Sequence, residues 1–418
     1  MESGKYCLTM ADILAAKERI ADHAVVTPCI DSDNIGHMVN AQIYFKLETM
    51  QRCKAFKFRG ALNKLRTIPE GSTVCAVSAG NHSQGVALAA SLCNCKATIF
   101  MPENAPSAKV KATQHYGGTV IQTGATFDDA KNEMFKALEQ HKDWIFVPPY
   151  NDREIIAGTG TIGLEIAQQI PKVQTVVVPI GGGGLISGIA YALKALKPKV
   201  RIIGVQMASC PATYKIYNQN KNKAIEGIRH ETLTPLADGI AVKTPGDLNL
   251  AIINDLVDEI VIVSEDEVAE AVALLAERSK VISEGAGATP LAAVLSKKFK
   301  YQPNEVICCV VSGGNIPLRM LARCIDRALF LRQNRVSVSV IVPYGTSHFA
   351  KLVNVLAKQH AEIVSCMSAP HVDTVANQEQ YTIIMDVDGP DHLNDIKTEC
   401  ESNGWYFEIQ SCQAYESD

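Results

Sequence analysis

Short apolar segments alternate with helical segments along most of this 418-residue chain. In sequence order the predicted elements are strand 74–77, helix 84–92, strand 98–101, helix 107–116, strand 119–121, helix 127–140, strand 145–147, helix 160–169, strand 175–180, helix 185–196 and strand 201–205. Parallel strands need a crossover between them, and that crossover is usually a helix. The alternation therefore predicts an α/β fold whose parallel sheets are covered on both faces.

The pattern changes after about Leu331, where apolar residues occupy every second position of 336–342. The elements predicted there are strand 336–342, helix 347–360, strands 362–367 and 381–387, helix 391–403 and strand 405–409. This order is that of a ferredoxin-like β-α-β-β-α-β unit. We predict a first region over 1–331, with a smaller subdomain at about 53–155, and a separate domain over 335–418. A helix over 319–332 would connect them.

Charge and composition narrow the function classes. The formal net charge is −4, which gives no reason to expect nucleic acid or an anionic membrane as a partner. The first residues lack the layout of a secretory signal, and no apolar stretch is long enough to span a bilayer. The 13 cysteines, an odd number, favour thiols in a reducing cytoplasm over a disulfide framework. We therefore expect a cytoplasmic enzyme.

Lys57 lies in an apolar segment between Phe56 and Phe58. A desolvated lysine has a lowered pKa, so its amine is a better nucleophile and can bond an aldehyde. Taken alone, the segment would be read as a surface charge beside Arg59. The chemical interpretation is favoured because a polar loop over 78–82 and a glycine-rich loop occur in the same chain.

Four consecutive glycines, Gly181, Gly182, Gly183 and Gly184, follow a predicted buried strand and precede a helix. Backbone N–H groups and a helix N-terminus at such a place would face an anion such as a phosphate, although a tight turn without a ligand is the alternative. The spacing does not match a nucleotide-binding loop, and the strand that ends at Met207 lacks the acid that would hold a ribose. With the lysine, this loop predicts a site for pyridoxal 5′-phosphate.

These motifs resemble those of the fold type II pyridoxal phosphate enzymes, specifically the threonine and serine dehydratase branch. The sequence A-F-K-F-R-G-A at 55–61 is similar to the family's S-F-K-x-R-G-A, with Ala55 where the family often has serine. The sequence S-A-G-N-H-S-Q-G at 78–85 is similar to S-[SA]-G-N-H-x-Q-G. The resemblance covers about 13–331 and implies a tryptophan synthase β-like fold with two parallel-sheet subdomains.

The resemblance also implies a role for each matching residue. Lys57 would bond the cofactor covalently and then act as the catalytic base. Further cofactor contacts would come from Phe56, Asn81, Gly181, Gly182, Gly183, Gly184, Leu185 and Ser312. The substrate carboxylate would be bound by Ser78, Ala79, Gly80, Asn81 and His82. Glu284 matches a family acid near the cofactor ring, and a capping or salt-bridge role is equally open.

The implied reaction is dehydration and deamination of L-threonine to 2-oxobutanoate and ammonia, with serine as a secondary substrate. Ser312 supports elimination over transamination, because a neutral hydroxyl cannot hold the cofactor's ring nitrogen protonated. Serine racemases carry a second base, a serine, at the position of Ala79, and alanine cannot move a proton. A serine-preferring dehydratase and a sensor that has lost turnover remain alternatives.

Metal ligation is not expected from this sequence. Gln206 and Ala212 stand where metal-binding relatives have carboxylates, so no site for a divalent ion is predicted, whereas a monovalent ion held by carbonyls stays open. His82 stands where the cysteine synthases prefer threonine.

The C-terminal region resembles an ACT domain in its order of elements. Such domains usually have a glycine where this chain has Ser347, with Gly345 nearby. The resemblance implies either an amino-acid effector bound there or a role in forming oligomers, and we expect a homodimer or homotetramer.

Overall fold

The computed structural model describes residues 6–228, 235–368 and 375–410. The N-terminal residues 1–5, on which the absence of a signal was judged, lie outside this part. The chain divides into two compact units, Met1–Leu321 and Ala322–Asp418. Within the described ranges, no helix combines the length and the apolar character needed to cross a membrane.

The first unit consists of alternating strands and helices. Its strands are β1 (Cys29–Asp31), β2 (Gln42–Leu47), β3 (Thr73–Val77), β4 (Lys96–Met101), β5 (Thr119–Gln122), β6 (Ile145–Phe146), β7 (Thr175–Pro179), β8 (Arg201–Met207), β9 (Glu259–Val263) and β10 (Val306–Val311). Its helices are α1 (Met10–Ile20), α2 (Asp33–Val39), α3 (Lys57–Leu65), α4 (Asn81–Leu92), α5 (Ser107–His115), α6 (Phe127–Gln140), α7 (Arg153–Gln169), α8 (Gly184–Leu196), α9 (Ala212–Asn220), α10 (Asp247–Leu256), α11 (Glu265–Ser279) and α12 (Gly285–Leu295). Helix α13 (Leu318–Leu331) leads into the second unit.

Two sheets organise the first unit. The larger has the order β1-β2-β10-β7-β8-β9, in which only the pair β1 and β2 is antiparallel among the described strands. The smaller has the order β5-β4-β3-β6 and is wholly parallel. The predicted α/β fold with two parallel sheets is confirmed. Ligands in such folds bind at the carboxyl ends of the strands.

The centre of the larger sheet is buried on both faces. Every residue of β7 is buried, and so are the first ten residues of α8. A strand covered on both sides favours a continuous apolar run over an alternating one. The loop 181–183 leaves the carboxyl end of β7 at this position, and the helix that follows is anchored in the core.

Helix α7 begins earlier than predicted. Helix α7 starts at Arg153, not residue 160, because the carboxylate of Asp152 accepts the N–H groups of Glu154 and Ile155 and caps it. Gly158 lies inside this helix, where an added Cβ would come within 2.7 Å of the carbonyl oxygen of Arg59. Gly158 therefore allows close packing against α3, and it does not mark a helix end.

The second unit contains β11 (Arg335–Pro343), α14 (Thr346–Lys358), β12 (Glu362–Ser368), β13 (Gln378–Asp386), α15 (Pro390–Ser402) and β14 (Tyr406–Gln410). Its four described strands form an antiparallel sheet in the order β12-β13-β11-β14. Alternate residues of β11 and β13, such as Val338 and Ile383, pack with Leu352 of α14 and Ile396 of α15 in one apolar core. The period-2 pattern thus reflects a sheet covered by helices on one face.

Candidate active site

Lys57 is the first residue of α3, and its side chain points toward the segment that precedes α7. Its Nζ donates a hydrogen bond to the carbonyl oxygen of Pro149 at 2.7 Å and lies 5.2 Å from the centre of the Phe56 ring. Phe58 points the other way, into the core of the smaller sheet. Burial lowers the pKa of Lys57 to about 8, although the nearby carboxyl of Glu284 acts in the opposite direction.

We expect the amine of Lys57 in the cofactor-free protein to be half deprotonated near pH 8, because burial disfavours its charged form. Acylation with an amine-selective reagent at different pH values, followed by mass spectrometry of peptides, would measure this. Labelling of Lys57 should rise with a midpoint near pH 8, whereas an ordinary lysine titrates near about 10.4. A midpoint at the ordinary value would contradict the burial described here.

The glycine loop presents unpaired donors at the end of β7. Gly183 has φ of +98°, in the left-handed region that favours glycine, and α8 begins at the next residue. Within the described residues, no protein acceptor receives the N–H groups of 181–185, although 182–185 are buried. A Cβ on Gly182 would overlap the ring of Tyr150, the residue after the partner of Lys57. Lys57 and the glycine loop therefore contact two consecutive residues, Pro149 and Tyr150.

Buried N–H groups without a partner are costly unless an anion accepts from them. The loop 181–183 and the N-terminus of α8, which includes Leu185, supply such groups together. The donor set therefore fits the phosphate of pyridoxal phosphate, and the amine of Lys57 fits its aldehyde.

Ser312 follows the carboxyl end of β10 and lies next to the lysine segment. Its carbonyl oxygen accepts the N–H of Phe56 at 3.0 Å, and the residue is 3% exposed. Its hydroxyl makes no hydrogen bond to any other described residue. It is therefore available to a ring nitrogen, as the sequence resemblance implies.

The predicted polar loop is only partly a loop, because α4 begins at Asn81. Its first residues are held by local bonds, from the N–H of Gly80 to Ser78 Oγ and from Ser83 Oγ to the carbonyl oxygen of Gly80. The N–H groups of 79, 81 and 82 donate to no acceptor among the described residues. A helix N-terminus with free N–H groups suits a carboxylate.

The side chain of His82 is bonded to the backbone at the end of the smaller sheet. Its Nε2 lies 2.9 Å from the carbonyl oxygen of Val147, which requires the neutral ring to donate from that nitrogen. Burial, reinforced by the charge of Lys57, lowers the pKa of His82 to about 3. The imidazole is therefore neutral, with its Nε2 proton bonded to Val147.

Asn81 joins the helix end to two residues of the larger sheet region. Its Nδ2 donates to Glu284 Oε1 at 2.7 Å, and its Oδ1 accepts from Asn315 Nδ2 at 2.8 Å. Burial raises the pKa of Glu284 to about 7, and the charge of Asp238 adds to that rise. Asn315 follows Ser312 by three residues. Its bond to Asn81 depends on a contact 234 positions distant, which no local pattern indicates.

A buried ionic network beneath α3 was not predicted. Arg59 is 1% exposed, and its guanidinium donates to both carboxylate oxygens of Glu48 and of Glu165 at 2.5–2.9 Å. Lys46 Nζ also donates to Glu165 Oε2, at 2.5 Å. Two cations and two anions thus balance in the interior, and they join α3 and α7 to the end of β2.

Gln206 occupies a position considered for metal ligation, and its side chain is fully engaged. Its Nε2 donates to the carbonyl oxygen of Ile180, and its Oε1 accepts the N–H of Tyr214. Ala212 begins α9. In the described part of the chain, no group of three or more histidine, cysteine or acidic side chains could hold a metal ion.

Comparisons with known proteins identify relatives over most of the chain. Residues 20–313 match the model of the family described as pyridoxal-phosphate dependent enzyme. The chain is 37% identical over 401 residues to the L-threonine ammonia-lyase of Geobacter sulfurreducens, and the aligned region covers 95% of this chain and 98% of that protein. Similar solved structures include the processed threonine deaminase isoform 2 of Solanum lycopersicum (TM-score 0.72, 32% identity, 78% of this chain and 94% of that one). Another is maize serine racemase (TM-score 0.69, 34% identity, 78% and 99%).

Proposed function

The chain belongs to the pyridoxal-phosphate-dependent enzyme family, and we propose that it is a lyase that converts L-threonine to 2-oxobutanoate and ammonia. Serine would be converted to pyruvate as a secondary activity. The observation that carries the proposal is the convergence of a low-pKa lysine amine, an unpaired glycine loop, a free serine hydroxyl and a helix N-terminus at one place.

Each residue has a defined task in this reaction. The N–H groups of 181–185 would bind the phosphate and the Ser312 hydroxyl would bond the ring nitrogen, while Phe56 lies beside the lysine. Residues 78–82 hold the substrate carboxylate through backbone N–H groups at the start of α4. Bound pyridoxal phosphate supplies an electron sink that makes the α-proton of the amino acid acidic.

Lys57 is the general base for this proton. A base with a pKa near the working pH is deprotonated often enough to accept a proton and basic enough to hold it. The bond from the β-carbon of threonine to its hydroxyl breaks, and the hydroxyl leaves as one water. The carbon–nitrogen bond breaks later, when ammonia is released. One water is taken up when ammonia is released, so the net products are 2-oxobutanoate and ammonia.

Elimination is favoured over racemisation at this site. Racemisation needs a second group that returns a proton to the opposite face of the α-carbon, and Ala79 has none to give. Among the described residues, His82 cannot take its place, because its ring is directed to Val147.

We propose that region 1–331 carries the catalysis in the cytoplasm and that the ACT-like domain at 335–418 is regulatory. Gly345, with φ of +123°, immediately precedes α14, where ACT domains present backbone to an amino acid. A small amino-acid effector and a homodimer or homotetramer are the expected partners. Titration of threonine turnover with branched-chain amino acids would test for the effector.

Initial rates with L-threonine and L-serine would test the proposed activity. The purified protein with pyridoxal phosphate should form 2-oxobutanoate from threonine at a higher kcat/KM than pyruvate from serine, and it should form no D-serine. A methyl group in a pocket is worth about 1–3 kcal/mol, so the preference should be about 10–200-fold or less. Higher kcat/KM for serine would favour a serine-preferring dehydratase, and silence with both amino acids would contradict the lyase assignment.

A further inference from the structure

Two parts of the first unit face each other across the candidate site. One part is the smaller sheet with α4 and α5, and the other carries the glycine loop, Glu284 and the turn Asp238–Ile240. Side-chain contacts between them include the bond from Asn81 to Glu284 and an ion pair from Lys109 to Asp238. The helix N-terminus at Asn81 lies at this junction, so an amino acid bound there would lie between the two parts.

The ion pair lies at the solvent edge of this set of contacts. Lys109 Nζ is 2.8 Å from Asp238 Oδ2, with side chains 25% and 54% exposed, whereas the bond between Asn81 and Glu284 is partly buried. Lys109 is in the first turn of α5, and Asp238 opens its turn. The pair therefore bridges the two parts at the solvent edge of the cleft between them.

The turn that carries Asp238 also contacts the inner residues of the site. A Cβ on Gly239 would lie 3.8 Å from Glu284 Oε1, and a Cβ on Gly181 would lie 3.2 Å from the Cα of Ile240. The turn is thus packed between the glycine loop and the acid that bonds Asn81. A movement of Asp238 would be transmitted to both.

We propose that Lys109 and Asp238 form the closing contact of this cleft, which holds the smaller sheet against the turn and parts when the amino acid enters or the product leaves. An exposed ion pair of this kind favours the paired state by only about two- to five-fold. Such a weak contact can break in every turnover without slowing the reaction. The inference rests on the proposed function for the identity of the molecule that passes.

A charge-exchange cycle tests the contact. The variants are Lys109→Asp, Asp238→Lys and the double exchange, and Lys111→Asp is the matched control because Lys111 is exposed on the same helix. Amide hydrogen exchange of the holoprotein would be measured in segments 107–115 and 238–246. Each single reversal should speed exchange in both segments by about two- to five-fold, and the double exchange should restore it.

The steady-state kinetics of threonine turnover provide a second test of the contact. With threonine, each single reversal should raise KM by about two- to five-fold with kcat changed by less than about two-fold, and the double exchange should restore KM. The proposal is overturned if the double variant is no closer to the wild type than the single variants, or if Lys111→Asp has the same effect. Hydrogen exchange reports the contact even without threonine turnover, so failure of the proposed function and failure of the closing contact are separable.

Discussion

Replacing Lys57 with alanine should abolish 2-oxobutanoate formation while the protein stays folded. The amine bonds the carbonyl oxygen of Pro149, whose neighbour Tyr150 packs against Gly182, and it is both the proposed covalent attachment point and the proposed base. Loss of a general base alone costs about 10²–10⁴-fold in rate, so we expect a fall in kcat of at least about 10³-fold. Steady-state turnover of threonine with saturating pyridoxal phosphate would measure it.

The matched control is Lys131→Ala, which removes an exposed lysine from helix α6. It should retain wild-type turnover, and circular dichroism of both variants should match the wild type. Substantial turnover by Lys57→Ala would contradict the role given to the lysine. The sensor alternative would be favoured if neither the wild type nor Lys57→Ala turned over threonine and both responded to amino acids in the same way.

Replacing Arg59 with methionine should strongly destabilise the first unit. The change removes the guanidinium from which the carboxylates of Glu48 and Glu165 both accept hydrogen bonds. Breaking a buried ion pair by removing one partner costs about 3–5 kcal/mol, because an uncompensated charge stays in the interior. Arg59→Lys should recover only part of this loss, because an ammonium cannot bond two carboxylates as a fork.

The free energy of unfolding can be followed through one fluorophore in each unit. The chain has two tryptophans, and a Trp405→Phe background leaves Trp144 to report urea unfolding of the first unit. Arg66→Met is the control, because Arg66 ends the same helix and pairs with the exposed Asp22. It should cost less than about 1 kcal/mol. Equal losses for the two variants would contradict the importance of the buried network.

The Arg59 network also predicts a pH dependence of stability. Burial opposes ionisation of Glu48, but the charge and hydrogen bonds of Arg59 outweigh it, so the pKa of Glu48 lies below its ordinary value. A carboxyl with a lowered folded-state pKa stabilises the protein above its unfolded pKa, about 4.3, and loses that contribution as the pH falls further. The wild type should therefore lose stability below about pH 4 more steeply than Arg59→Met.

Periodicity was sufficient to predict most of the fold. The strand now bounded as Thr175–Pro179 and the helix Phe127–Gln140 follow directly from apolar spacing, as does the strand–helix order after Leu331. Local patterns cannot show which glycine ends a helix and which one allows close packing. That is why α7 was predicted to start too late, since Gly158 meets a residue almost a hundred positions away.

The candidate site could be predicted from the sequence where its residues belong to short motifs. Lys57, the glycine loop and the residues around Asn81 each lie in a short motif, and the structure brings them together. Lys109 and Asp238 belong to no motif, and they meet only through the packing of two subdomains. Arg59 lies two residues after Lys57 in the sequence, but its burial could not be predicted because it depends on two acids from other elements.

The most direct test of this account is to locate the cofactor by chemistry. The purified protein with bound pyridoxal phosphate would be treated with borohydride, which makes the lysine–cofactor bond permanent, and its peptides would be mapped by mass spectrometry. We predict a single modified lysine, Lys57, and loss of threonine turnover in proportion to the label. Modification of another lysine, with Lys57 unlabelled, would contradict the central claim.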